Sequence, residues 1–256
     1  MADRKSEAEV PVLISDPIEL AEKEAANALD QFDWGMDEVE RWIKAKRPSL
    51  NISMVLTLHR KAMDGIDPYA GNFRPAGVAI KGSSHEPISG EDVARHVEEM
   101  LEYLKANWSS HTATHLSSYV MWRLNWIHPF SDGNGRTSRI LSYMVLCGKL
   151  EKVLPGTNTI PEQIAENKSP YYNALEAADE AWKRGKTDLG EMEGLLEGYL
   201  ANQLLEVHNQ ATGGKIYTEG EDEDPKNGIV SKIESHPVIA GGLFLLLATI
   251  LGLLAS

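Results

Sequence analysis

Apolar positions along most of this chain recur at intervals of three and four, the period of a helical face, and the pattern breaks at a few stretches rich in glycine and proline. His115, Tyr119, Trp122 and Trp126 form one such stripe and Leu116, Val120 and Leu124 another, which predicts an amphipathic or largely buried helix ending at Pro129. The segment 136–147 lacks glycine and proline and carries Ile140, Leu141, Met144 and Val145 at helical spacing, so a second helix begins as Gly133 and Gly135 end. The same reading predicts helices over 17–29, behind a cap at Ser15 or Asp16, and over 37–46, 52–63, 160–167, 170–184 and 189–208. A long helix over 90–107 is expected behind Ser89 as its cap. From 69 to 87 the periodicity fails, and Gly71, Pro75, Gly77, Gly82 and Pro87 frame Val78-Ala79-Ile80, which predicts a short β-hairpin. The expected fold class is therefore mainly α.

The chemistry concentrates between the two central helices. His128-Pro129-Phe130-Ser131-Asp132-Gly133-Asn134-Gly135-Arg136-Thr137-Ser138-Arg139 packs a base, an acid, two glycines, an amide and two guanidinium groups into one polar loop. Backbone N–H groups at a helix N-terminus lack intrahelical partners, the helix dipole there favours negative charge, and the glycines let an anion approach closely. Arg136 and Arg139, three apart, share a helical face, and guanidinium forks bind phosphate oxygens in bidentate fashion. Asp132 is suited to a magnesium ion that bridges phosphate oxygens, and His128 to proton transfer near neutral pH. These are the parts of a nucleotidyl or phosphoryl transfer site.

The run 128–139 resembles the signature of Fic domains, His-Pro-Phe-x-Asp-Gly-Asn-Gly-Arg-x-x-Arg, and matches it at every specified position. The resemblance implies a small helical bundle that transfers AMP from ATP to a protein hydroxyl. It makes His128 the general base, Asp132 the Mg2+ ligand and Phe130 the loop's anchor in the core. Gly133, Asn134 and Gly135 would line the anion pocket, with Arg136 and Arg139 on the β- and γ-phosphates. Gly71-Asn72-Phe73-Arg74 and Val78-Ala79-Ile80-Lys81-Gly82 resemble the family's lead-in and its flap, whose edge receives the target segment as an added strand. Many such proteins carry a regulatory helix with Ser/Thr-x-x-x-Glu-Gly/Asn, whose glutamate blocks the γ-phosphate site. Residues 22–27 lack the Ser/Thr and glutamate in register, whereas 193–198 ends on Glu197-Gly198 but begins with glutamate. Glu197 is thus the candidate brake, and a small inhibitory partner or helix is a possible addition. The readings open at this point are an AMP transferase, another Fic-type transfer such as UMP transfer or phosphorylation, and a nucleotide-binding membrane adaptor without turnover.

Composition narrows the setting. A net charge of −13 and a pI near 5.1 argue against nucleic acid as a main partner. The single cysteine, Cys147, sits on the apolar helix after the loop and is expected in the core of a protein from a reducing compartment. His111 and His115 have helical spacing but no third ligand nearby, so they are expected to be structural. Residues 1–9 read as a polar, mobile tail, and the charged run 1–10 has no apolar h-region, which argues against a secretory signal. Residues 237–255 carry no charge and only Thr249 is polar, a run of membrane-spanning length, so a C-terminal anchor with a cytosolic catalytic domain is expected. The domain plan is an N-terminal helical region over 1–47, a Fic-type catalytic domain over 48–208, an acidic and Gly-rich linker over 209–235 and a transmembrane anchor over 236–256.

Overall fold

The computed structural model describes residues 4–7 and 11–212. In chain order these form β1 (Lys5–Glu7), α1 (Pro17–Ala45), α2 (Ile52–Met63), β2 (Ala79–Lys81), α3 (Val93–Asn107), α4 (Ala113–Ile127), α5 (Asn134–Lys149), α6 (Ile160–Glu166), α7 (Ser169–Lys183) and α8 (Gly190–Thr212). The mainly helical class expected from the periodicity holds.

The core is organised on α4 and α5, which are buried on nearly every side, as helices must be when their apolar residues run around the whole circumference. Two small residues let the pair approach closely. Ser117 Oγ donates to the Ser142 carbonyl at 2.9 Å and Ser142 Oγ returns a bond to the Ser117 carbonyl at 3.0 Å, so neither buried hydroxyl is left unpaired. Helices α1 and α2 cover one flank of this pair, α3, α7 and α8 the other, and α6 fills the space between α5 and α8. Cys147 is buried among them, and burial pushes its thiol up to about 12, which keeps it inert as expected of a core cysteine.

Three local expectations need correction. The separate helices over 17–29 and 37–46 are one helix. Asp16 caps it by accepting the N–H groups of Ile18 at 2.8 Å and Glu19 at 2.9 Å. Gly35 does not break it but lies on its buried face, where an added Cβ would come within 3.2 Å of Ile140 and 3.3 Å of Met144, so the glycine permits close contact with α5. Second, 90–92 is a turn of 3-10 helix ahead of α3, and Ser89 makes no side-chain cap. Third, the strand at 79–81 has no hairpin partner. It pairs antiparallel with β1, the segment expected to be a mobile tail, with Ser6 opposite Ile80.

Helix α8 runs to Thr212 and so takes in 209–212, expected as the start of the linker; the rest of the linker, 213–235, and the run 237–255 lie outside the described residues. Among the described residues no helix is long and apolar enough to cross a membrane.

Candidate active site

The loop 128–133 is fixed from below by two aromatic rings. Phe130 is fully buried, and His59 of α2 stacks on it with ring centroids 3.7 Å apart and planes 3° from parallel. His59 Nδ1 accepts the Gly71 N–H at 3.0 Å, which leaves Nε2–H to donate to the Asp132 carbonyl, also at 3.0 Å. Burial lowers its pKa to about 4, so the ring is neutral and this tautomer is consistent with both bonds. By sequence alone, His59 reads as an ordinary core or surface histidine. Its single signal was a place on the inward stripe of α2, which does not reveal what it touches.

Arg74 holds the other end of the loop. Its Nε donates to the His128 carbonyl at 2.8 Å, its Nη1 to the Ala76 carbonyl at 2.8 Å and its Nη2 to the Ile88 carbonyl, while its own N–H donates to the Pro129 carbonyl at 2.9 Å. One guanidinium thus ties the lead-in and the segments on either side of the flap to the turn that bears His128. Asn134 also serves the loop: its Oδ1 accepts the Phe130 N–H at 3.0 Å and its Nδ2 donates to the Phe130 carbonyl at 2.9 Å. Its amide therefore closes the loop, and only its place at the start of α5 puts it beside the anion pocket.

Gly133 precedes α5 with φ +74°, a left-handed conformation that glycine adopts without strain. A Cβ there would meet Met63 Sδ at 2.7 Å and His59 Cδ2 at 3.2 Å. Gly135 is tight for another reason, since its Cβ would lie 3.1 Å from the Arg139 guanidinium.

These elements enclose a cavity of about 580 Å³, lined by the start of α5 and by His128, Asp132, Arg136 and Arg139 among others. His128 ends α4 in the left-handed region, with φ 51° and its N–H bonded to the Leu124 carbonyl. Its Nδ1 donates to the Asn125 carbonyl at 3.3 Å, so Nε2 carries the lone pair, and that lone pair faces Ser6 Oγ at 2.9 Å. Burial lowers the His128 pKa to about 4, so the ring is neutral and able to accept a proton. Asn125 is itself fixed, its amide lying 2.7 Å from Ser138 Oγ and 2.8 Å from Tyr171 OH, which joins α4 to α5 and α7 beneath the base.

On the far side, Arg136 reaches Glu24 of α1 at 2.9 Å and Asp132 at 3.2 Å. A glutamate that meets an arginine expected to bind phosphate is therefore Glu24. Glu197, the candidate brake from the sequence, is exposed on α8 and does not line the cavity. Asp132 is half-exposed at the cavity mouth. No group of three or more His, Cys, Asp or Glu side chains suited to a metal exists among the described residues. That donor set fits an ion held mainly by phosphate oxygens and water, as magnesium is, and not one caged by protein. His111 and His115 hold no site: His115 Nδ1 faces Glu193 at 2.8 Å and Nε2 faces Tyr103 OH at 3.0 Å, so both ring nitrogens are used.

Of the flap residues 78–82, Ala79, Ile80 and Lys81 form the strand β2 beside the cavity, and Ile80 lines it. Gly82, at φ +78°, turns the chain away after it.

Residues 49–146 match the Fic/DOC family. The protein adenylyltransferase Fic of Drosophila persimilis is 33% identical over 151 residues, 57% of this chain and 28% of that protein, so this chain spans well under half the length of that relative. Among solved structures, a Fic family protein from Desulfovibrio desulfuricans superposes with a TM-score of 0.57 at 20% identity, over 79% of this chain and 57% of that one. A Fic domain containing signaling protein from Bacteroides thetaiotaomicron gives 0.56 at 20% identity, over 75% and 74%. The loop of residues 128–139 lies inside the segment that matches the Fic/DOC family, and the mainly helical fold is shared with these structures.

Proposed function

We propose that this chain is a protein adenylyltransferase that moves AMP from ATP to a hydroxyl of a protein target. The observation that carries this reading is the neutral His128 ring, whose Nε2 meets a serine hydroxyl at 2.9 Å on the edge of a cavity lined by two arginines and a helix N-terminus. In the reaction, Nε2 takes the proton of the target hydroxyl as its oxygen attacks the α-phosphorus, the bond between that phosphorus and the α–β bridging oxygen breaks, and pyrophosphate leaves. Arg136 and Arg139 hold the departing phosphates, and the first turn of α5 presents N–H groups to the negative charge. Asp132 would hold Mg2+, which neutralises phosphate charge when bound with the nucleotide. The relative's name, protein adenylyltransferase, supports the choice of AMP over a transferred phosphate.

Incubation of the full chain and a cell lysate with Mg2+ and ATP labelled at the α- or the γ-phosphate tests the reading. Label from the α-position should enter protein with wild type and be lost with His128→Ala, which should still bind ATP because the base contacts the acceptor and not the nucleotide. Transfer at the wild-type rate by His128→Ala, or transfer of the γ-label instead, would overturn it.

The proposal extends to a membrane. The uncharged run 237–255 is long enough to cross a hydrocarbon layer and supports attachment there, with a catalytic domain facing ATP. Full-length protein should then sediment with membranes and resist carbonate extraction; a monodisperse soluble species would remove the anchor and leave the chemistry standing.

A further inference from the structure

The strand that fills the flap belongs to the chain itself, and it brings a hydroxyl to the base. Lys5–Glu7 pairs with Ala79–Lys81 in antiparallel register, Lys5 opposite Lys81 and Glu7 opposite Ala79. Backbone pairing of this kind is how an extended segment is taken up by a sheet edge without regard to its sequence. The residue before the strand is fastened independently. The Arg4 N–H donates to Tyr172 OH at 3.3 Å, its guanidinium lies 4.5 Å from the centroid of the Tyr172 ring, and it pairs with Glu176 on α7. With Arg4, two residues before it, tied to α7 and its own backbone tied to β2, Ser6 has little freedom, and its Oγ rests 2.9 Å from His128 Nε2.

A pseudosubstrate that only blocked the site would need no hydroxyl there. An alanine at position 6 would leave the strand pairing and the Arg4 contacts in place. What the serine adds is a hydroxyl within reach of the base, and it faces the cavity that Arg136 and Arg139 line.

We propose that Ser6 is an acceptor of the chain's own nucleotidyl transfer, modified within the same molecule. The inference rests on the AMP-transfer reading above. A nucleoside triphosphate in the cavity supplies the group: Ser6 Oγ bonds to the α-phosphorus, its proton passes to His128 Nε2, the bond from that phosphorus to the α–β bridging oxygen breaks, and pyrophosphate leaves. The product is an adenylylated Ser6. Until the modified strand leaves β2, it occupies the edge on which any other protein segment would dock.

The test uses the full chain with α-labelled ATP and Mg2+, alone and with lysate, as wild type, as Glu24→Ala to free Arg136, and as Ser6→Ala and Ser6→Thr. Trypsin releases residues 6–23, which hold Ser6 and Ser15, and fragmentation assigns the adenylyl group to one of them. The expected result is label on Ser6, lost in Ser6→Ala, restored at the same position in Ser6→Thr, and formed at a fractional rate that does not change on dilution of the protein. His128→Ala mixed with intact chain should stay unlabelled, because the transfer is intramolecular. Label in lysate proteins without label on Ser6, in both wild type and Glu24→Ala, would overturn this inference and leave the AMP-transfer reading intact. Label on Ser15 alone, or a fractional rate proportional to protein concentration, would overturn it too. No His128-dependent label anywhere would bring down the AMP-transfer reading and this inference together.

Discussion

Glu24 and Arg136 are 112 residues apart in sequence and 2.9 Å apart in space, so a glutamate of the first helix sits on a guanidinium proposed to hold a phosphate. Arg136 is shared with Asp132, and any nucleotide that engages it must first displace Glu24. Both partners are partly exposed, so the pair is worth only about 0.5–1 kcal/mol after solvent screening. Glu24→Ala should therefore tighten ATP binding roughly two- to fivefold and raise transfer by a similar factor. Calorimetric titration with ATP checks this, and an unchanged affinity would mean that Glu24 does not compete for the site.

The stack of His59 on Phe130 makes a prediction about the loop. His59→Ala removes a buried ring, leaves a cavity under Phe130 and strips the Asp132 carbonyl of its donor. A loss of roughly 3 kcal/mol in stability is expected from the cavity and the orphaned carbonyl together. His59→Phe keeps the stack and should recover a large part of that loss in a denaturant melt. It should not recover transfer, because Asp132 is no longer held. Equal activity of His59→Phe and wild type would show that the ring serves packing alone.

Gly133 is predicted to tolerate no side chain. Alanine there must adopt φ +74°, costing roughly 1–2 kcal/mol, and must also push Met63 and His59 aside. Gly133→Ala should lower the melting temperature and weaken ATP binding by moving the start of α5, whereas Gly82→Ala, equally left-handed but with open space around it, should show the backbone cost alone. Identical melting curves for the two variants would contradict the packing role of Gly133.

Two histidines with lowered pKa set a pH dependence of stability. Above pH 6.5 both are neutral whether the chain is folded or not, so they contribute nothing to the slope. Below 6.5 the unfolded chain takes up protons that folded His59 and His128 refuse until about pH 4. Stability should fall as pH drops through that window, by on the order of 3 kcal/mol per histidine, and level off below it. Replacing His59 by Phe should flatten about half of the slope in urea melts between pH 6.5 and 4; an unchanged slope would assign the effect to other groups.

Much of the site could be read from the sequence, because its parts lie close together along the chain. Helical periodicity is a local property, so the helix before Pro129, the polar turn and the helix after it stand close to where the pattern predicts, although α5 begins at Asn134 and takes Gly135 into its first turn. The shared face of Arg136 and Arg139 follows from their spacing of three on one helix. The join of 17–29 and 37–46 into one helix around Gly35 is less legible. A glycine within a helical pattern reads as a break, and nothing in the adjacent residues says that α5 lies within reach of its missing side chain.

The amino-acid sequence by itself determined most of the helices, the polar loop and that loop's match to the Fic signature. Only the tertiary structure decided that Glu24 and not Glu197 meets Arg136, that His59 lies beneath Phe130, and that Ser6 lies against His128. Helix periodicity and turn chemistry act over a few residues and leave a signal in their spacing. These three contacts span 71 to 122 positions and arise from the packing of whole helices and from strand pairing through backbone groups that every residue carries, so no local pattern marks them.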